Sequence, residues 1–156
     1  MNNYEKRWYE VRYKFPHANK MLGDRASYAT LDIEYFSKIG TEEQAYWFGV
    51  LSNRGHMTKD ALMVNLNMRD WEHLYRFRTA IKSNHSIYKQ NYGKTAMLTI
   101  RSKRLVEMFC DYGFAVGNSF GRSFPPFHVV PLHLQQPFIR GLYDSGSSFS
   151  RKNNRW

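Results

Sequence analysis

Asn65 and Asn67 lie on the polar face of the alternating run LMVNLNM, and Thr99 and Arg101 lie on that of AMLTIRS. Tyr88, Lys89 and Gln90 stand together in SIYKQNY, and Lys94 follows in the short connection between the two runs. Carboxamides donate and accept hydrogen bonds at base edges, and lysine and arginine attract phosphate. Between His73 and Val106 there is no Asp or Glu, while Arg76, Arg78, Lys82, Lys89, Lys94, Arg101, Lys103 and Arg104 all fall there. Solvated strand faces ordinarily mix both signs of charge. A one-sided basic sheet bearing amides suits phosphate attraction combined with base-edge hydrogen bonding.

Composition points the same way. The chain has 156 residues, 23 Lys plus Arg against 13 Asp plus Glu, a formal charge of +10 and a pI near 9.8. Folding does not need that excess. It implies an anionic partner, nucleic acid first, then a membrane surface or an acidic protein. Aromatic residues, 17% of the chain, supply stacking surface as well as core. The single cysteine, Cys110, excludes an internal disulfide and fits a reducing compartment; its setting, LVEMFCDYG, reads as core. The N-terminus lacks an apolar leader and no run approaches a membrane span, so the reading is an intracellular protein without a membrane partner.

The elements that must position these residues follow from pattern. Residues 1–40 form a basic, aromatic arm; YEKRWYEVRYKF alternates like a strand until Pro16, and GDRAS reads as a turn. Thr41 followed by Glu42 and Glu43 predicts a helix start, and the helix runs to about Leu51, with Gly55 as a left-handed cap. Residues 62–68 predict a strand with Leu62, Val64, Leu66 and Met68 buried. Asp70 is placed to cap a helix carrying Trp71, Leu74, Phe77 and Ile81 at helical spacing. Strands are expected over 86–92 and 96–102, then a helix over 102–113 with a serine cap and a terminal glycine. A loop covers 117–132, and LQQPFIRGLYDSG is a last helix with Pro137 near its start.

Two stretches in this order, AYWFGVLSNRG at 45–55 and FIRGLYDSGSS at 138–148, resemble the two signature helices of the LAGLIDADG homing endonucleases, especially the phage and intron-borne kind. The approach NSFGRSFPPF…HLQQPFIRGLYDSG is similar as well, and the likeness covers roughly residues 34–150. It implies an α+β fold: an αββαββα subdomain at 41–132, preceded by the arm at 1–40 and followed by a second signature helix and basic tail at 133–156. It implies helices in close contact at Gly49 and Gly141, glycine removing the side chain that would hold two axes apart. It also implies a sheet lying in a nucleic-acid groove.

In active members each signature ends in an acid that holds a divalent metal at the scissile phosphates. Here Arg54 occupies the first such position and Gly146 the second, and Ser147 replaces the closing glycine. Asp144 matches an earlier acid of the motif. An arginine in place of a ligand would repel Mg²⁺ and attract phosphate. The resemblance also leads one to expect a second subdomain after the second signature, whereas the sequence ends at Trp156.

The remaining candidates are weaker. His17, His56, His73, His85, His128 and His133 show no metal-binding spacing, and one cysteine cannot build a zinc site. GFAVGNSFG lacks the lysine and helix of a phosphate loop. The tail SRKNNRW either contacts phosphate or is disordered. The expectation is therefore a non-catalytic nucleic-acid-binding protein, with no metal or cofactor, binding DNA or structured RNA through Arg54, Asn65, Asn67, Tyr88, Lys89, Gln90, Lys94, Thr99 and Arg101. The alternatives are an endonuclease subunit that cleaves DNA with Mg²⁺ and a partner chain, a maturase-like RNA-binding component of a ribonucleoprotein, and a module whose signature helices form a homodimer or hold another protein.

Overall fold

A computed structural model of the chain describes residues 30–117 and 128–146. The arm strand expected at 8–15, the GDRAS turn, His17, residues 118–127 of the long loop and the SRKNNRW tail lie outside the described residues.

Thr41 starts the first helix through a reciprocal cap. Its Oγ1 accepts from the Gln44 amide at 3.2 Å, and Gln44 Oε1 accepts from the Thr41 amide at 3.1 Å. Helix α1 then spans Glu42–Arg54, three residues past the expected end at Leu51. Gly55 is not a left-handed cap. Its φ of −72° and ψ of 133° carry the chain straight into strand β1, Gly55–Met57. Glycine is needed there for size, since a Cβ would lie 2.6 Å from the Leu51 carbonyl oxygen.

Strand β2 spans Ala61–Asn67, with Leu62, Val64 and Leu66 buried as their alternation predicts. Asp70 makes no side-chain cap to helix α2, Trp71–Ala80. A 3-10 turn, Met68–Asp70, leads into that helix, and Asn67 Oδ1 caps the turn by accepting from the Arg69 amide at 3.0 Å. Trp71, Leu74, Phe77 and Ile81 are all buried. Strands β3, Ile87–Gln90, and β4, Thr95–Arg101, follow. Ser102 Oγ accepts from the Leu105 amide at 3.2 Å and opens helix α3, Lys103–Asp111. Cys110, expected in the core, is exposed: α3 buries Leu105, Val106 and Phe109, and the next position turns to solvent. A 3-10 turn at Leu132–Leu134 runs into helix α4, Gln135–Gly146.

The fold is α+β. The strands form one antiparallel sheet in the order β1-β2-β4-β3. Its inner face and the helices enclose a core in which Phe36, Phe48, Phe77, Phe109 and Phe138 are fully buried. Phe48 sits at the centre, with ring centroids 5.8 Å from Phe109, 5.4 Å from Phe114 and 5.9 Å from Phe138. The end of the arm joins this core, because Phe36 packs on Phe109 at 5.3 Å and Tyr112 Oη donates to the Phe36 carbonyl at 2.7 Å. No helix among the described residues is long and apolar enough to cross a membrane.

Helix α4 lies against α1 at van der Waals contact of the two backbones. A Cβ on Gly49 would strike the Phe138 carbonyl oxygen and stand 3.0 Å from the Leu142 nitrogen. A Cβ on Gly141 would strike the Tyr46 carbonyl oxygen and stand 3.0 Å from the Val50 nitrogen. The contact is reciprocal. The α1 face bearing Gly49 is therefore covered by this chain's own helix α4. Gly49→Leu should lower stability by about 2 kcal/mol through overpacking, read as a melting temperature several degrees lower. An unchanged melting curve would show that the helices do not need this approach.

Candidate nucleic-acid interface

The close crossing brings the C-terminal ends of α1 and α4 together. Each end carries carbonyls without intrahelical partners and a partial negative charge. Arg54, the last residue of α1, reaches across to the end of α4, with Nε donating to the Ser145 carbonyl. Asn53 Nδ2 donates to the Leu142 carbonyl at 3.2 Å and lies 3.3 Å from Ser145 Oγ. A Cβ on Gly146 would run into the Asn53 amide, so glycine there makes room for this clasp. The basic residue that ends apolar helix α1 thus caps the C-terminus of the neighbouring helix α4. The residues at this junction do not fit a divalent cation. A guanidinium stands at one helix end and a glycine at the other, and Asp144 is engaged elsewhere.

That engagement ties three helices. Tyr46 Oη donates to Asp144 Oδ2 at 3.1 Å, and His73 Nε2 stands 3.1 Å from the same Oη. With the hydroxyl proton on Asp144, the ring nitrogen donates, which fits a neutral His73. Arg140 Nε pairs with Asp144 at 3.5 Å, and its guanidinium carbon is 5.9 Å from the Tyr46 ring centre. Burial, and then the Asp144 charge, push the Tyr46 hydroxyl up to about 12. Burial, with Arg76 adding to it, holds the His73 imidazole below its ordinary range.

Beside this junction opens a cleft of about 1080 Å³. Arg54 comes from the end of α1, Arg69 and Arg76 from α2 and its leading turn, and Arg140 from α4. Asn65, Asn67 and Thr95 border it from the sheet, and Asp70 and Asp144 are its acids. Among the described residues no carboxylate lies within ion-pair distance of Arg54, Arg69 or Arg76, whereas four cations elsewhere are matched. Lys82 pairs with Asp32 at 3.5 Å, Arg101 with Asp60 at 3.6 Å, Lys103 with Glu107 at 3.7 Å, and Arg104 with Glu34. The acid-poor window in sequence is therefore partly neutralised in space by acids from outside it.

The register sorts the expected binding residues. On the outer sheet face Asn65 lies opposite Met97, which lies opposite Tyr88; Asn67 lies opposite Thr95, which lies opposite Gln90; and Thr99 lies opposite Met63. Lys89 does not belong to this set. It pairs with Ala96, whose side chain is buried beneath the sheet, because successive strand residues point to opposite faces. The outer face is thus amide, hydroxyl, methionine and aromatic, with little charge of its own. Arg101, at its far end, is paired with Asp60. Lys94 is exposed on the β3–β4 turn, and Asn67 spends its amide oxygen on the cap described above. Arg54, Arg69 and Arg76 line the cleft, whereas Lys94 at the sheet's turn lies outside its lining. Arg69, His73 and Arg76 were legible in the sequence as polar residues spaced four and three apart, a helical spacing that brings them to one side.

No protein-family model matches the chain, and no curated protein does.

Two outcomes follow from the junction. Arg54→Asp puts a carboxylate against two helix C-termini and should cost about 1–2 kcal/mol, measured as a lower denaturant midpoint. His73 and His85 are both shifted below their ordinary value by burial. The unfolded chain then binds more protons than the folded one below about pH 6.5, so stability is complete above that value and is lost as pH falls. The melting temperature should drop from about pH 7 to about pH 5, and His73→Gln should flatten the drop.

Proposed function

We propose that this chain is a non-catalytic nucleic-acid-binding protein, on a subdomain related in descent to the LAGLIDADG homing endonucleases. Phosphates occupy the arginine cleft, and the outer sheet face lies along the bases. One observation carries the reading: Arg54, Arg69 and Arg76 line a cleft bordered by Asn65, Asn67 and Thr95 with no carboxylate in ion-pair reach among the described residues, while acids are placed on Lys82, Arg101, Lys103 and Arg104. Guanidinium forks on phosphate next to carboxamides on base edges are the elements of such a site. The helix order, helix–strand–strand–helix–strand–strand–helix followed by a further helix, supports the proposed descent.

The non-catalytic part rests on the helix ends. Arg54 and Gly146 stand where an active nuclease of that kind carries its metal-holding acids, and Asp144 accepts from Tyr46 and pairs with Arg140. Because α4 already covers the Gly49 face, the reading requires no second chain to complete the helix pair.

Titration with duplex DNA and with structured RNA across a range of salt tests the proposal. The double variant Arg69→Ala/Arg76→Ala should weaken binding and reduce the salt slope of log K by about two, since each phosphate contact releases about one counterion. Supercoiled plasmid with Mg²⁺ should stay intact. Absence of saturable binding to either nucleic acid sinks the proposal, and cleavage that Asp144→Asn abolishes would replace it with a nuclease.

A further inference from the structure

Tyr92 is the most exposed large hydrophobic side chain among the described residues, at 105% of its reference surface. It stands at the tip of the four-residue turn joining β3 to β4. Asn91, Tyr92 and Gly93 all have left-handed backbones there, with φ of 51°, 55° and 80°. Asparagine and glycine adopt that conformation readily; for a bulky aromatic residue it is an outlier. The position thus combines strain with exposure of a ring to water, and Asn or Gly would relieve both. Such combinations persist where a side chain is needed for contact with something else.

The turn is also held rigidly. The Gly93 amide donates to the Gln90 carbonyl at 3.1 Å, the Lys94 amide to the Asn91 carbonyl at 3.1 Å, and Asn91 Nδ2 to Thr95 Oγ1 at 3.1 Å. The Met68 amide donates to the Lys94 carbonyl at 2.9 Å, fastening the turn to the end of β2. A Cβ at Gly93 would meet nothing within 4 Å, so the tip projects into open space.

Its location specifies the ligand. Gln90 and Thr95 are the last pair before the turn, and Asn67 is opposite Thr95 on the other side. This amide-hydroxyl row is the end of the sheet that borders the arginine cleft. The exposed Lys94 follows Tyr92 by two residues. An exposed ring on a hydrogen-bonded turn, close in the chain to amide and hydroxyl groups and to Lys94, is a stacking platform for a nucleobase. A fully paired duplex buries its base faces against one another, whereas an unpaired base offers a free face.

We infer that Tyr92 is a base-stacking residue and that the ligand of this face carries an unpaired nucleobase. This rests on the nucleic-acid reading above. It adds the class of ligand: a strand with a loop, bulge or single-stranded segment. The ring is the binding element and the hydroxyl is dispensable.

The test uses the full chain and labelled ligands of equal length: a single-stranded DNA, an RNA hairpin with an unpaired loop, and a fully paired DNA duplex. Tyr92→Asn keeps the left-handed preference and removes the ring, and equal melting curves confirm that it folds. It should bind the single strand and the hairpin about tenfold more weakly, with duplex affinity unchanged within about twofold. Tyr92→Phe should bind like the unaltered chain. Quenching of 2-aminopurine placed in the unpaired segment should be present with Tyr or Phe and lost with Asn. Which of the two unpaired ligands shows the larger loss distinguishes RNA from DNA as the source of the base. Normal binding of unpaired ligands by Tyr92→Asn overturns this inference alone. Failure of the unaltered chain to bind any of the three overturns it together with the nucleic-acid reading.

Discussion

Helices α1 and α4 touch backbone to backbone because neither Gly49 nor Gly141 has a side chain, and much of the molecule depends on that contact. Any Cβ at either position would occupy a carbonyl oxygen of the other helix. The approach seats Phe138 fully buried beside Phe48 and so completes the aromatic core. It also covers the face of α1 that carries Tyr46, Gly49, Val50 and Asn53.

A close crossing has an electrostatic consequence. Two helix C-termini brought together add their partial negative charges, and their last carbonyls need donors. Arg54 and Asn53, from the end of α1, donate to the last carbonyls of α4, and Gly146 leaves the space in which Asn53 does so. A divalent cation held by carboxylates would satisfy the same field by different means. The guanidinium is a cation built into the chain. Around it the charge is uneven: acids sit on Lys82, Arg101, Lys103 and Arg104, while Arg69 and Arg76 face the cleft beside the amides of β2. Under the proposed function, structural and recognition roles meet at one residue, Arg54, and are separable at Arg69 and Arg76.

The elements were readable where one physical signal dominated. Leu62, Val64 and Leu66 against Asn65 and Asn67 is a period of two, and the sheet buries the first set. Trp71, Leu74, Phe77 and Ile81 is a helical period, and all four are buried. Competing local signals failed where tertiary context prevailed. Gly55 looked like a left-handed cap but was required for its size beside Leu51. Asp70 looked like a cap, yet the 3-10 turn before α2 gave that role to Asn67. Cys110 continued an apolar run and still turned outward, because α3 buries a narrow stripe.

From the chain alone one could read a basic α+β protein with amide-bearing strand faces, two helices carrying glycine for close contact, and an arginine at the first helix end. The strand faces and the charge follow from composition and from periods of two and 3.6, which are properties of neighbours in sequence, and the glycine contact is what the signature-helix resemblance implied. Folding was required to show that the two glycines meet each other, that Lys89 falls on the opposite face from Tyr88 and Gln90, and that acids from outside the basic window cancel part of it. It also placed Arg69, Arg76 and Arg140 around one cleft and stood Tyr92 alone in solvent. Register, crossing distance and charge pairing join residues far apart in the chain, and no local pattern encodes which distant partner each will find.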